Sequence, residues 1–274
     1  PNSNAYVEGR DTGDIAEDYD FFRYGVKADI NDTFSVGVLY DEPFGASAEF
    51  TGNNNFVSNP SGDQNANIQQ LTNGRFDATT LGPTITALRA QAAVTADPVV
   101  RAGIIDQITS LSTVGAIAAI DAANAGENSK VEIRSQSLTG LLGVKLGANK
   151  NFQIYGGPVA QRIQADVRLR GLAYGPATGY TSTSNPDMDY GYIAGFSFSK
   201  PEIALKAALT YRSEIDHDIE ISESYPLVAA RALEGGATPA QAAALSNQRS
   251  DYEVSTPKSI NFDFQTGVNP TTLA

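Results

Sequence analysis

The chain has 274 residues, 41% of them hydrophobic, with 19 Lys plus Arg against 31 Asp plus Glu, a formal net charge of -12. That charge argues against a binder of nucleic-acid phosphates, which needs a basic face. Zero Cys and a single His exclude disulfides, thiolate metal sites, Cys nucleophiles and multi-His metal centres, and make a His-based triad a poor fit. No apolar run reaches the ~18–20 residues of a membrane-crossing helix. Barrel strands escape that test, because they alternate.

Residue 1 is Pro, and no charged-then-apolar signal segment follows it. At the other end Asn269-Pro270 reads as a turn just after a strand. The chain therefore reads as an internal fragment of a longer one.

Seven runs alternate with period two, the mark of strands with two unlike faces. In the first, Phe22, Tyr24, Val26, Ala28 and Ile30 alternate with Arg23, Gly25, Lys27 and Asp29. The second sets Phe34, Val36, Val38 and Tyr40 against Ser35, Gly37, Leu39 and Asp41. The third sets Leu138, Leu142, Val144 and Leu146 against Ser137, Thr139 and Lys145. In the fourth, Tyr155, Val159, Ile163, Val167 and Leu169 form the apolar set, and Arg162, Gln164, Asp166, Arg168 and Arg170 the polar one. The fifth has Tyr192, Ala194, Phe196 and Phe198 on one side. The sixth, 203–221, is the longest: Ile203, Leu205, Leu209, Tyr211, Ile215, His217, Ile219 and Ile221 alternate with Lys206, Arg212, Asp216, Asp218 and Glu220. The seventh carries Ile260, Phe262 and Phe264.

A soluble sheet strand is typically ~5–6 residues, whereas a membrane-spanning strand needs ~9–11. Length thus favours an all-β transmembrane antiparallel barrel, lipid-facing on its apolar side and polar in its lumen, over a soluble sheet with a solvated face. Short turns at 31–32, 147–150 and 200–202 alternate with long polar stretches at 51–129, 172–187 and 222–251. Short turns at one end and long loops at the other suit a bacterial outer-membrane barrel. Phe34, Phe198 and Phe264 lie beside the short turns, and Phe22, Tyr24, Tyr40 and Tyr211 further along, as two interfacial girdles would. By this parity His217 falls on the apolar face, in an interfacial role.

The long loops carry helical signals. Segment 82–125 reads helical, with Pro83 near a start and Asp97-Pro98 as cap and first residue of a helix bearing Ile104, Ile108 and Leu111. Segment 226–246, which contains Leu227, is broken by Gly235-Gly236 and restarts at Thr238-Pro239. These helices either pack on one another over the barrel or leave an apolar groove, with Ile104, Ile108, Leu111 and Leu227 along it, that captures a greasy ligand. Segment 51–75 reads as a loop tip.

Three stretches together carry a family resemblance: FSVGVLYDEPFGASAEF at 34–50, AALTYRSEIDHDIEISESY at 207–225 and STPKSINFDFQTG at 255–267. They resemble the FadL-like outer-membrane transporters of long-chain fatty acids and other hydrophobic compounds. The resemblance spans nearly the whole chain except 51–129. It implies about half of a barrel of about fourteen strands, whose N-terminal plug and C-terminal strands lie outside this chain. It also implies passive transport without a cofactor or energy source, as a monomer in outer-membrane lipid. The Asp41-Glu42-Pro43-Phe44-Gly45 interruption then matches a strand kinked inward, leaving a hole through which ligand leaves sideways. Pro43 lacks the N–H for a ladder bond, and Gly45 permits a bend. Arg168 or Arg170 matches an arginine that holds the ligand carboxylate, with Arg162 on the same lumen face and Glu42 where the family has a small polar residue. Pairing of these arginines with Asp166, Glu214 and Asp216 is the competing reading. Asp187 and Asp189 offer a weak cation signal. A polar-solute porin is the alternative function. An outer-membrane enzyme is disfavoured by the single His, and a soluble adhesion module by strand length.

Overall fold

A computed structural model of the chain describes residues 12–18, 20–269 and 272–273. In chain order it contains β1 (Arg23–Asp29), β2 (Phe34–Asp41), β3 (Gly45–Glu49), α1 (Gln64–Thr72), α2 (Ala78–Val94), α3 (Pro98–Ala123), β4 (Lys130–Leu146) and β5 (Phe152–Arg168). A 3-10 turn at Leu172–Ala177 leads to β6 (Thr181–Ser184) and β7 (Asp187–Lys200), and a second at Pro201–Ile203 to β8 (Leu205–Arg212) and β9 (Ile215–Ser224). Then come α4 (Pro226–Glu234), α5 (Pro239–Ser246), β10 (Asn247–Thr256), β11 (Ser259–Gln265) and a small pair, β12 (Gly267–Asn269) and β13 (Thr272–Leu273). The turn expected at Asn269-Pro270 falls partly outside the described residues.

Among the described residues eleven strands form one antiparallel sheet, open at both edges. It is a partial barrel: the edge strands β1 and β11 curl round to line one cavity of about 630 Å³, together with Ser35, Gln153, Tyr155 and Lys206. The short turns lie at one end. Asn31 Oδ1 accepts the backbone N–H groups of Thr33 (2.8 Å) and Phe34 (2.9 Å), closing the first. Gly147 and Lys150, both at positive φ, close the second with a 3.1 Å bond from Lys150 N–H to the Gly147 carbonyl. The helical insertions lie at the other end.

β4 and β5 run unbroken through the sheet, while their neighbours do not. β2 and β3 both pair with β4, either side of an interruption at 42–44. β6 and β7 both pair with β5 around 185–186. β8 and β9 pair with β11 and β10 around 213–214 and 257–258.

The continuous strand expected at 203–221 is therefore two strands, and its faces do not stay constant. Below the break Leu209 stands opposite Phe196 and Phe262, which are 55% and 68% exposed, so it faces outward. Ser213 then takes both its N–H (2.9 Å, to the carbonyl) and its hydroxyl (3.0 Å, accepting the N–H) to Tyr192. Beyond it Ile215, His217 and Ile219 are buried on the inner side. The expectation that His217 lies on the lipid face is thereby corrected: its side chain is fully buried.

Register also corrects β5. Phe152 stands opposite Leu146, Ile154 opposite Val144 and Ala160 opposite Leu138. Leu138, Leu142, Leu146, Phe152 and Ile154 are exposed, whereas Val159, Gln161 and Ile163 are buried. The even-numbered side of β5 faces out along its whole length. Its outward residues are apolar at the turn end and become Arg162, Gln164, Asp166 and Arg168 at the loop end. Over this length one face passes from apolar to charged along the strand's own axis. Sequence parity, read as apolar-out throughout, inverted the assignment.

The loop helices form a small core of their own. Ile68, Leu81 and Ala118 are buried together, with Leu71, Phe76, Ile85, Leu111 and Val114 packed around them. Asp97 caps α3 with Pro98 as its first residue, and Thr238 caps α5, both as expected. Pro83 instead lies inside α2, whose start is fixed by an Asp77–Thr80 capping box. The tip expected at 51–75 contains α1, capped by Asp63 and anchored by buried Asn67 and Ile68. At its base the fully buried Asp121 Oδ2 accepts from Asn59 N–H (3.1 Å) and Asn67 Nδ2 (2.8 Å).

Candidate functional site

The interruption at Asp41-Glu42-Pro43-Phe44-Gly45 is a local bulge against β4. Asp41 pairs with Ser137 and Gly45 with Arg134, so three residues of this strand oppose two of β4. Ser135 seals that side. Its hydroxyl accepts Phe44 N–H at 2.8 Å, and its own N–H donates to the Phe44 carbonyl at 2.9 Å. Pro43 donates nothing, as its chemistry requires. Gly45 keeps a negative φ, so the bend does not use glycine's left-handed freedom.

On the opposite side the interruption faces the chain before and at β1. Glu42 N–H donates to the Phe22 carbonyl (3.2 Å). Glu17 N–H donates to the Ser47 carbonyl (3.2 Å), beside an Ala16–Ala48 bridge. Phe44, on the bulge between these contacts, is 44% exposed.

The inner face beside the bulge divides into two chemistries. Toward the loops, Ala46 opposes Ile133, Ala48 opposes Val131, and these in turn oppose Ala165 and Val167. All share the inward side with buried Ile163. Toward the turns the inner face is polar. Lys27 Nζ donates to Gln153 Oε1 (3.2 Å), and Gln153 Nε2 to Ser35 Oγ (2.7 Å).

At the boundary, Asp41 is 3% exposed. Arg212 reaches it from β8, with Nη1 3.3 Å from Asp41 Oδ2 and Nη2 bonded to Ser137 Oγ. Arg23, mostly in water, adds a longer contact of 3.7 Å. Among the described residues no group bonds the buried Asp41 Oδ1 or Arg212 Nε.

The residues expected to bind ligand are not gathered here. Arg162 and Arg168 are exposed on the outer face, which corrects their lumen placement. Arg170 lies past the end of β5 and is buried. Its Nε donates to Glu127 (2.7 Å), Nη1 to the carbonyls of Tyr180 (2.8 Å) and Leu169 (3.2 Å), and Nη2 to Thr181 (3.1 Å). Its donors tie the base of one loop to another and leave no fork for a carboxylate. Glu42 accepts from Tyr40 Oη at 2.7 Å, on the outer side where Tyr40 stacks on Tyr24. Of the expected partners of the arginines, Asp216 instead accepts from Ser255.

In the loops, Leu111 belongs to the helical core and Ile104 is buried. Ile108 and Leu227 are half-buried on α3 and α4, two helices bridged by Arg231 Nη2 to the Thr109 carbonyl (2.7 Å). The helices share a small core around Ile68, Leu81 and Ala118. Asp41 and Arg212 were visible in sequence only as members of polar sets. Their one signal was position, each standing just before a strand break.

No protein-family model matches the chain, and no curated protein matches it. One solved structure, "Crystal structure of a Pseudomonas aeruginosa FadL homologue", is similar, at 13% identity and a TM-score of 0.47. The alignment covers 90% of this chain and 45% of that one, so the chain spans less than half the length of that protein.

Proposed function

We propose that this chain forms part of an outer-membrane β-barrel that passively transports hydrophobic molecules, long-chain fatty acids first among them. Ligand collects among the loop helices and descends along the apolar inner strip of Ala46, Ile133, Ala165 and Val167. It leaves sideways into lipid past Pro43, Phe44 and Gly45. The barrel acts as a monomer, with no cofactor and no catalytic step.

The observation that carries this reading is the bulge at 42–44, where three residues of this strand oppose two of β4. It falls where the inner lining changes from apolar to polar. A greasy molecule moving down the apolar strip meets the buried Asp41–Arg212 pair, whose desolvated charges are a poor surface for it. The bulge lies beside that barrier. The outer apolar band, from Leu138 to Leu146 and from Phe152 to Ala160, matches the ~9–11 residues that a spanning strand requires.

The test is uptake of labelled oleate by cells lacking their own fatty-acid transporter and expressing the full gene for this chain. Uptake is expected from the native protein and reduced uptake from the Pro43→Ala plus Gly45→Val variant. Uptake indifferent to that change removes the lateral exit but keeps the ligand class. Entry of small sugars without oleate hands the function to a polar-solute porin, a reading that the polar inner face around Lys27, Gln153 and Ser35 would then explain.

A further inference from the structure

We propose that Asp187, Asp189 and His217 form a divalent transition-metal site that pins a second break in the wall, between β7 and β9. This site is independent of what the barrel transports.

Among the described residues the strands around it share no backbone ladder. Asn185 N–H reaches the Glu220 carbonyl at 2.9 Å, and Ser213 N–H the Tyr192 carbonyl at 2.9 Å. Between these two bonds, among the described residues, no ladder joins 186–191 to 214–219. Side chains occupy the interval instead. A Cβ added at Gly191 would lie 2.7 Å from Ile215 Cγ1, so Ile215 sits directly against that glycine's backbone. His217 enters beside it.

Asp187 and Asp189 alternate with exposed Met188 and Tyr190, so both carboxylates share the inner face. One ligand atom from each of Asp187, Asp189 and His217 lies within 4.8 Å of the others. His217 Nδ1 is 3.1 Å from Asp187 Oδ2, and Nε2 is 3.3 Å from Gln161 Oε1.

The convergence of these groups points to a cation. His217 is fully buried and its Nδ1 faces the Asp187 carboxylate, with the Asp189 carboxylate beside it. Its far side is held in place by Gln161, which Thr256 Oγ1 contacts at 2.9 Å. A ring nitrogen and two carboxylates thus meet at one point on the inner face.

No Lys or Arg among the described residues pairs with either aspartate. A ring nitrogen with two carboxylates is a donor set for Zn²⁺, Mn²⁺ or Co²⁺ rather than for Mg²⁺. Ligand atoms on one Zn²⁺ lie no more than about 4 Å apart, so a side-chain rotation of Asp189 completes the site. A metal there would join β7 to β9 where the backbone does not.

The experiment uses the full chain, folded in detergent micelles, with Zn²⁺ and Co²⁺ as probes. Calorimetry should find one Zn²⁺ per chain. Asp189→Asn and His217→Gln should each weaken binding by at least about tenfold. Bound Co²⁺ should give visible d–d absorption that Asp189→Asn abolishes, and Zn²⁺ should raise the melting temperature of the native protein alone. Among the described residues Asp189 has no hydrogen bond or ion pair outside this cluster, so Asp189→Asn is expected to fold, as checked by heat-modifiable migration on a gel. Absent stoichiometric binding, or binding equally strong in folded Asp189→Asn, overturns the site and leaves His217 as a plain hydrogen-bond donor to Asp187.

Discussion

The two ends of β5 obey the same geometry and opposite chemistry. At the turn end Phe152 and Ile154 point out and Gln153 points in. At the loop end Arg162, Gln164 and Arg168 point out, while Val159, Ile163 and Val167 point in. β4 repeats this, with Leu142 outward below and Lys130, Glu132 and Arg134 outward above. Glu132 is bonded to both cations, and Lys130 beside it holds its carboxyl below the usual glutamate range. An alternating strand does not declare which of its faces is the interior. On the proposed membrane reading what decides is the medium outside, which changes partway along these strands.

Where the two ends meet, the Asp41–Arg212 pair offers the sharpest way to break the comparison. Removing one partner of a buried ion pair typically costs ~3–5 kcal/mol, because the remaining charge is stranded. Arg212→Leu should cost about 3 kcal/mol, the low end, since Arg23 still lies 3.7 Å from Asp41. Urea unfolding in lipid vesicles reads it. A loss no greater than that of an outer-face arginine, such as Arg162→Leu, would show that the boundary is wet and not a barrier.

Next in size is the outer face itself. Leu142 is 53% exposed in the apolar band, and Gln164 lies on the same face of the sheet above it. A lysine near the bilayer midplane costs about 2–4 kcal/mol, against roughly 0–1 at the interface. Leu142→Lys should therefore lower vesicle stability by the larger figure and Gln164→Lys by almost nothing. Equal effects would put the two positions in one medium, and the account of the inverted parity would fail.

The sequence made strands, short turns and helix caps legible, since each is set by near neighbours. Asp97 before Pro98 and Thr238 before Pro239 announce their helices through local side-chain bonds. Pro83 misled because the stronger start, the box opened by Asp77, lay six residues upstream. Faces were harder. The 4.9 Å stack of Tyr24 on Tyr40 was readable as a girdle. The burial of His217 was not, because it depends on Ser213 turning the chain toward Tyr192, a partner 21 residues away. Arg170 read as a carboxylate clamp because its real partner, Glu127, belongs to the distant end of another loop.

The smallest effect tests whether the loop end is wet enough to titrate. Glu223, at the end of β9, accepts hydrogen bonds from Tyr180 Oη (2.5 Å) and Tyr225 Oη (2.8 Å). First Tyr180 and then Tyr225 hold its carboxyl below the ordinary 4.5, against burial that works the other way. A carboxyl depressed on folding contributes stability that is fully present above its unfolded value and is lost as pH falls through the folded one. The advantage of the native chain over Glu223→Gln, about 1 kcal/mol, should thus be complete at neutral pH. It should shrink below pH 4.5 and be gone once the carboxyl is protonated in both states. Denaturant midpoints for the two proteins at a series of pH values measure it. A difference that stays constant through that range would mean that the tyrosines bond the neutral amide as well as the carboxylate. The contact would then be one of shape and not of charge. The outward residues at the turn end of β5, Phe152 and Ile154 among them, have no proton to give.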